Sequence, residues 1–301
     1  MSKQRVLVTG KGGQLATELQ ATLPSQFELV SLDSSTLDIT DLSALEQAVT
    51  TYQPTIIINA AAYTAVDKAE SDVEAAYSVN ELGTANLAQI CSEKKLRLVH
   101  ISTDFVFDGK NNQPYTPEDA PAPLGVYGRS KFQGERRLLE LMPTGAIIVR
   151  TAWVYSEYGS NFVKSMLRLM TEKEQLGVVY DQVGTPTWAK GLANAIWAMV
   201  VQSDQQSEKW AQSSVVHWTD AGVTSWYDFA IAIQDLAFSA GLLNKKIPIL
   251  PIKATAYPTP AVRPYYGVLD KASGEKRSGM NTIHWQSQLK DMIVKLAEAE
   301  K

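Results

Sequence analysis

Tyr127-Gly128-Arg129-Ser130-Lys131 sets a phenol four residues ahead of an ammonium, a spacing that places both side chains on one face of a helix. A free phenol has a pKa of about 10 and is a poor acid or base at neutral pH. A neighbouring ammonium favours the phenolate and lowers that pKa, which suits proton transfer to a carbonyl oxygen. The chain has 12 tyrosines, and chance alone supplies about one such pair at ordinary lysine usage. Setting therefore decides. The pair opens a helical stretch that follows the strand-like run Leu96 to Ser102, and Thr103 closes that run. Its hydroxyl can donate to the same carbonyl oxygen, or it can cap a turn. Thr103, Tyr127 and Lys131 are thus the candidate catalytic groups.

A second set of residues suits a dinucleotide. Val8-Thr9-Gly10-Lys11-Gly12-Gly13-Gln14-Leu15-Ala16 puts small residues at 10, 13 and 16, directly after a strand and at a helix start. Such a turn lets backbone N–H groups and a helix N-terminus meet a pyrophosphate, although plain strand–helix turns also contain glycine. Asp33 ends the second strand, where an acid can accept from a ribose diol or serve as a turn residue. Asp38 and Ile39 follow, and Asp41 is placed to cap the next helix. Asn59-Ala60-Ala61-Ala62 after the third strand leaves room for a cofactor against the backbone. Cofactor contacts are expected from Gly10, Gly12, Gly13, Gln14, Leu15, Asp33, Asp38, Ile39, Ala60, Ala61, Ala62, Tyr63, Thr64, Tyr127 and Lys131. Asp33 favours NADH by repelling a 2′-phosphate, and Lys11 offsets that in part, so the expected cofactor is NADPH or NADH.

The elements that must carry these groups alternate through the first half. Strands are predicted at 5–9, 27–32, 55–58, 96–102 and 145–150, and helices at 14–23, 41–52, 73–94 and 126–141. Right-handed crossovers then give a parallel sheet, so the expected class is α/β, a doubly wound Rossmann sheet with a smaller α/β C-terminal substrate lobe. The dinucleotide lobe is expected at 1–152, with the chain returning to it around 165–205, and 153–301 mainly forms the substrate lobe. In that second half 215–218 reads as a strand, 226–240 and 286–299 as helices. Tyr257 to Pro264 is too rich in proline for either. The 301 residues carry 28 Lys and Arg against 32 Asp and Glu, a net charge of −4, with 45% apolar residues. That balance disfavours nucleic acid as a partner and disorder as a state. One cysteine, no long apolar run and an N-terminus that passes directly into a strand predict a cytoplasmic protein without signal peptide or membrane span. A monomer or homodimer is expected.

Taken in order, Gly10-x-x-Gly13-x-x-Ala16, Asn59 to Ala62, Ser102-Thr103-Asp104 and Tyr127-x-x-x-Lys131 resemble the extended short-chain dehydrogenase/reductase superfamily. More specific segments bring it near the dTDP-4-dehydrorhamnose reductase family. They are Thr64 to Glu70, Ser102 to Gly109, Pro123 to Gly128, Arg150 to Tyr155, Asp181 to Thr187 and Tyr257 to Pro264. The resemblance implies NAD(P)H-dependent reduction of the C4 ketone of dTDP-4-dehydro-β-L-rhamnose, with Tyr127 protonating the alkoxide and Lys131 also holding the nicotinamide ribose. It places Val66, Asp67, Thr103, Asp104, Tyr127 and Trp153 around the sugar, and Arg263 suits the diphosphate on charge grounds. Core packing is the other reading for Trp153. Some family members hold Mg²⁺ through acidic side chains. Glu18 matches one such position but Lys190 replaces another acid, and a cation beside a hard divalent ion is unfavourable, so no metal is expected. Two other readings share the motifs: an NADP-binding regulatory subunit resembling the methionine adenosyltransferase β subunit, and a related sugar-nucleotide epimerase or dehydratase. Retained Thr103, Tyr127 and Lys131 weigh against the first. For the second, Phe105 stands where a dehydratase carries a glutamate, and no further acid/base side chains for an epimerase are identified.

Overall fold

The computed structural model describes residues 3–205 and 207–299; Met1 and Ser2, read above as leading into the first strand, lie outside them. In chain order the first half contains β1 (Gln4–Thr9), α1 (Gln14–Ala21), β2 (Phe27–Leu32), α2 (Leu42–Tyr52) and β3 (Ile56–Asn59). It continues through α3 (Val66–Ala69), α4 (Val73–Tyr77), a π-helical turn (Ser78–Leu82), α5 (Gly83–Lys94), β4 (Arg97–Thr103), α6 (Val126–Leu141) and β5 (Ala146–Thr151). The single helix predicted at 73–94 is thus two helices joined by a wide turn. That turn swings Asn80 inward, where its amide accepts from Tyr63 N at 2.9 Å and donates to Tyr63 O and Ser130 Oγ. Such tertiary bonds satisfy a π-bulge that no local pattern announces.

The second half holds β6 (Val154–Tyr155), α7 (Phe162–Glu172), β7 (Leu176–Val179), β8 (Val183–Gly184), β9 (Thr187–Trp188), α8 (Ala189–Gln205) and β10 (Ser214–His217). After these come β11 (Thr224–Ser225), α9 (Trp226–Ser239), β12 (Ile249–Ile252), α10 (Ala272–Ser278) and α11 (Trp285–Ala299). Among the described residues no helix is long and apolar enough to cross a membrane.

Six parallel strands form the main sheet in the order β10-β5-β4-β3-β1-β2. Helices cover both faces, so successive strand residues divide between two cores. Val6, Val8, Ile56 and Ile58 pack with Leu19 of α1 and Leu192 and Trp197 of α8. Leu7, Ile57, Leu98 and Ile148 pack with α2, α5 and α6 through Leu45, Leu87 and Leu138. A third core joins α7, α9 and α11 around Met166, Phe229 and Leu289. Strand order reverses between β1 and β3, and the crevice outside their carboxyl ends is where such sheets take ligands.

Candidate active site

At that crevice the chain leaves β1 through Gly10, whose φ is +78°. A Cβ on it would stand 2.8 Å from Ala61 N, so only glycine lets these two turns touch. Gly13 then begins α1 without a side-chain cap, and the first turn carries no acid. The leading N–H groups and the positive end of the helix dipole are left to an anion. Around this turn lies a cavity of about 640 Å³. Gly10, Gly12, Gly13, Gln14, Leu15, Asp38, Ile39, Ala60, Ala61, Ala62, Tyr63 and Thr64 line it, together with Lys11, Ser34, Val79, Val154, Gly159 and Ser160. The last three come from after β5, and no sequence signal tied them to the first half. Asp33 is not among the lining residues. Its Oδ1 accepts from the backbone N and hydroxyl of both Ser35 and Thr36, at 2.6–3.1 Å, and the Ser35 hydroxyl foremost holds its carboxyl below the usual range. Asp33 thus fills the turn role weighed for it above, through Oδ1.

Across the crevice, Tyr127 is the second residue of α6. Gly125 offers that helix no side-chain cap, and Glu70 supplies one from α3's end, its Oε1 accepting from Val126 N at 2.8 Å. A Cβ on Gly128 would overlap the Phe105 carbonyl, so the helix lies directly against the segment after β4. The Tyr127 ring meets the Phe105 ring edge-on at 5.5 Å, and its phenol faces the Thr103 side chain. Thr103 Oγ1 donates to Asp104 Oδ1 at 3.1 Å and accepts from Phe105 N at 3.2 Å, so the hydroxyl caps the turn. Burial pushes the Asp104 carboxyl up to about 7.

One expectation is reversed. Tyr127 is pushed up to about 12, chiefly by burial, with the Thr103 hydrogen bond acting the other way and the Asp104 charge adding to the rise. The hydrogen bonds of the Lys131 amine go instead to the Ile101 carbonyl at 2.7 Å and to His100 Nε2 at 3.2 Å. Desolvation of the phenolate outweighs an ammonium that is turned elsewhere. Burial also lowers Lys131 to about 8, opposed by Glu135. A phenol of this kind keeps its proton at neutral pH and can act as an acid, not a base.

The residues expected around the sugar divide into two groups. Asp67 and Arg263 bond each other through both oxygens, at 2.9 and 2.7 Å, and Ala261 N adds a contact to Asp67. The Arg263 guanidinium holds the Asp67 carboxyl below its usual range. Val66 is half-buried beside them at the start of α3. Trp153 lines a 40 Å³ recess with Asp104 and Arg263. Its φ is +47°, and its ring lies 3.4 Å from that of Trp226, nearly parallel at 10°. Gly184 leaves the space behind it, since a Cβ there would come within 2.7 Å of the indole. It is half-buried rather than part of a core, and left-handed backbone at a non-glycine residue marks a position held by its surroundings. Beyond lies a cavity of about 500 Å³ between α7, β7 and the proline-rich loop, walled by Phe162, Met166, Val178, Gln182, Trp226, Tyr257, Thr259 and Arg263. Sequence reasoning assigned no site role to Phe162, Met166 and Trp226; Gln182, Tyr257 and Thr259 lie in segments that carried the family resemblance, without a role of their own.

Glu18 and Lys190 do come together, on the far side of α1. Ser156 Oγ donates to Glu18 at 3.1 Å, and burial, then the neighbouring Glu157, pushes Glu18 up to about 7. Glu157 accepts from Lys295 at 2.9 Å and from the Trp188 indole at 2.9 Å, and Lys190, lowered first by burial, feels the Lys295 charge. Two ammonium groups face two carboxyls, a donor set that does not fit a divalent cation. Among the described residues no three His, Cys, Asp or Glu side chains are arranged to hold a metal ion.

With this geometry in place, residues 4–298 match the family described as RmlD substrate binding domain. A dTDP-4-dehydrorhamnose reductase of Aggregatibacter actinomycetemcomitans is 42% identical, covering 96% of this chain and 98% of its own. The Escherichia coli (strain K12) enzyme of that name is 36% identical, covering 97% of each. A crystal structure of dTDP-4-dehydrorhamnose reductase from Bacillus anthracis in complex with NADP has a TM-score of 0.88 and 35% identity, covering 97% of this chain and 99% of that one. A UDP-glucose 4-epimerase from Brucella ovis in complex with NAD, at 18% identity and a TM-score of 0.79, shares the fold.

Proposed function

Because the chain belongs to the RmlD substrate binding domain family, we propose that it is an NAD(P)H-dependent oxidoreductase that reduces the C4 ketone of dTDP-4-dehydro-β-L-rhamnose to dTDP-β-L-rhamnose. The observation that carries this reading is Tyr127 at the start of α6 facing Thr103 at the end of β4, with an uncapped, glycine-lined helix start after β1 of the same sheet. When bound, the nicotinamide supplies the hydride for the ketone carbon. Gly10, Gly12, Gly13, Gln14 and Leu15 would hold its diphosphate, Asp33, Asp38 and Ile39 its adenosine, and Ala60 to Thr64 would contribute further contacts. Thr103 and Tyr127 bind the ketone oxygen. As negative charge grows there, Tyr127 gives up its proton, because an alkoxide is far more basic than even a raised phenol. Lys131, its amine held by the Ile101 carbonyl and His100, would contribute to holding the nicotinamide ribose.

Val66, Asp67, Asp104 and Trp153 border the sugar, and Arg263 leaves Asp67 to meet the diphosphate. The aromatic cavity past Trp226 suits the thymine ring. The two packing centres support a division into a dinucleotide lobe, to which the chain returns with α8 and β10, and a substrate lobe built from the rest of the second half. The substrate is a soluble sugar nucleotide, and we assign the reaction to the cytoplasm and to a monomer or homodimer. A purely regulatory role has no need of the Tyr127–Thr103 contact.

The test is direct. With the ketone generated enzymatically, nicotinamide absorbance falls in its presence, and Tyr127→Phe slows that loss by roughly 10²-fold or more. Unchanged turnover in the variant overturns the assignment.

A further inference from the structure

Behind Lys131 lies a buried chain of hydrogen bonds that the reaction described above does not use. Asn59, at the end of β3, accepts at its Oδ1 from Thr9 Oγ1 at 2.7 Å and from Ala61 N at 3.2 Å. A backbone N–H can only donate, so the atom facing Ala61 N is the amide oxygen and the amide nitrogen points the other way. That nitrogen lies 3.0 Å from His100 Nδ1. An NH₂ group facing Nδ1 requires a lone pair there, which puts the ring's proton on Nε2. His100 Nε2 in turn lies 3.2 Å from Lys131 Nζ, whose other bond goes to the Ile101 carbonyl. His100, Asn59 and Lys131 are all buried.

We propose that His100 is a positioning residue for Lys131: with its tautomer set by Asn59, it turns an N–H toward the lysine amine and so opposes the charging of that amine. A neutral amine accepts this N–H, whereas an ammonium meets donor against donor. The charge placed behind Tyr127 is thereby governed from β3 and β4 and not by the lysine alone. Burial, with the Lys131 charge adding to it, drives His100 well below its usual range. The titratable groups acting on Lys131 are His100 from β4 and Glu135 from its own helix. Glu135 is tied up by Arg150 of β5 at 2.7 Å, and Asn80 and Ser130 on the π-turn side carry no charge. This proposal rests on the proposed reduction for its consequence, not for its geometry.

The chain has three histidines, so a long-range proton–nitrogen spectrum of protein carrying ¹⁵N-histidine is readily assigned, the His100 ring being the pattern lost in His100→Phe. At neutral pH the expected pattern is a protonated Nε2 and a bare Nδ1. A protonated Nδ1, or an imidazolium, overturns the proposal, and this reading needs no turnover, so it fails separately from the enzymatic assignment. The second arm is Asn59→Asp. A carboxylate facing Nδ1 draws the proton there, Nε2 becomes an acceptor, and the ammonium is favoured. The apparent pKa of the turnover profile then rises by about one unit or more, and the rise shrinks when His100 is also replaced by Phe. An equal rise with and without His100 assigns it to the added charge alone and overturns the tuning role.

Discussion

The Asp104 carboxyl stands one bond network away from the phenol, and its titration is a stability statement. Its pKa of about 7 lies above the ordinary aspartate value of 3.8, so its contribution is fully present below about pH 4 and is lost as pH rises through about 7. His217, lowered to about 3 by burial, acts in the opposite sense and is common to wild type and variant. Asp104→Asn, an isostere of the protonated acid, therefore gains on wild type in stability as pH rises from about 4 to about 7, by up to a few kcal/mol, and its Tm rises relative to wild type over that range. Melting curves across that range check it, and parallel curves would show that the carboxyl does not titrate there. At this scale the spacing of Tyr127 and Lys131 was legible because a helix repeats every 3.6 residues. The raised phenol was not, since burial belongs to the whole surroundings of a group. Nor was the Asp67–Arg263 pair, whose partners stand 196 residues apart.

Elements were more visible than contacts. All five strands and the main helices of the first half fall within a few residues of their expected places, because alternating buried faces leave their period in the chain. The π turn at Ser78–Leu82 was hidden, as its cause lies in Tyr63 and Ser130. The same holds for α6, whose start depends on Glu70. Removing that carboxylate in Glu70→Ala costs about 1 kcal/mol, as loss of a helix cap does, and lowers kcat more than KM because Tyr127 sits in the freed turn. Urea unfolding and steady-state kinetics measure the two effects. Gly128→Ala acts on the same element by steric contact with the Phe105 carbonyl. It should reduce kcat by about tenfold or more, in keeping with the sensitivity of catalysis to small misplacements; wild-type kinetics would show that the helix can shift without harm.

The molecule as a whole is less divisible than its sequence. After Thr151 the sequence pattern loosens, yet α8 lies on α1, with Trp197 donating to the Leu19 carbonyl at 3.1 Å. β10 pairs with β5 in register from Ser214 against Ile147. Periodicity identified 215–218 as a strand but carries no information about which edge it joins. Residues 1–152 expressed alone would leave β5, buried along its whole length, as an open apolar edge, and α1 with a bare face. Sedimentation of that fragment should show aggregates, and a folded soluble monomer would contradict this account of the sheet. The late arrival of β10 also bears on synthesis. A ribosome must complete most of the chain before the strand that shields β5 emerges, so the nascent dinucleotide half waits with sticky backbone uncovered, and a holding chaperone would find its footing there.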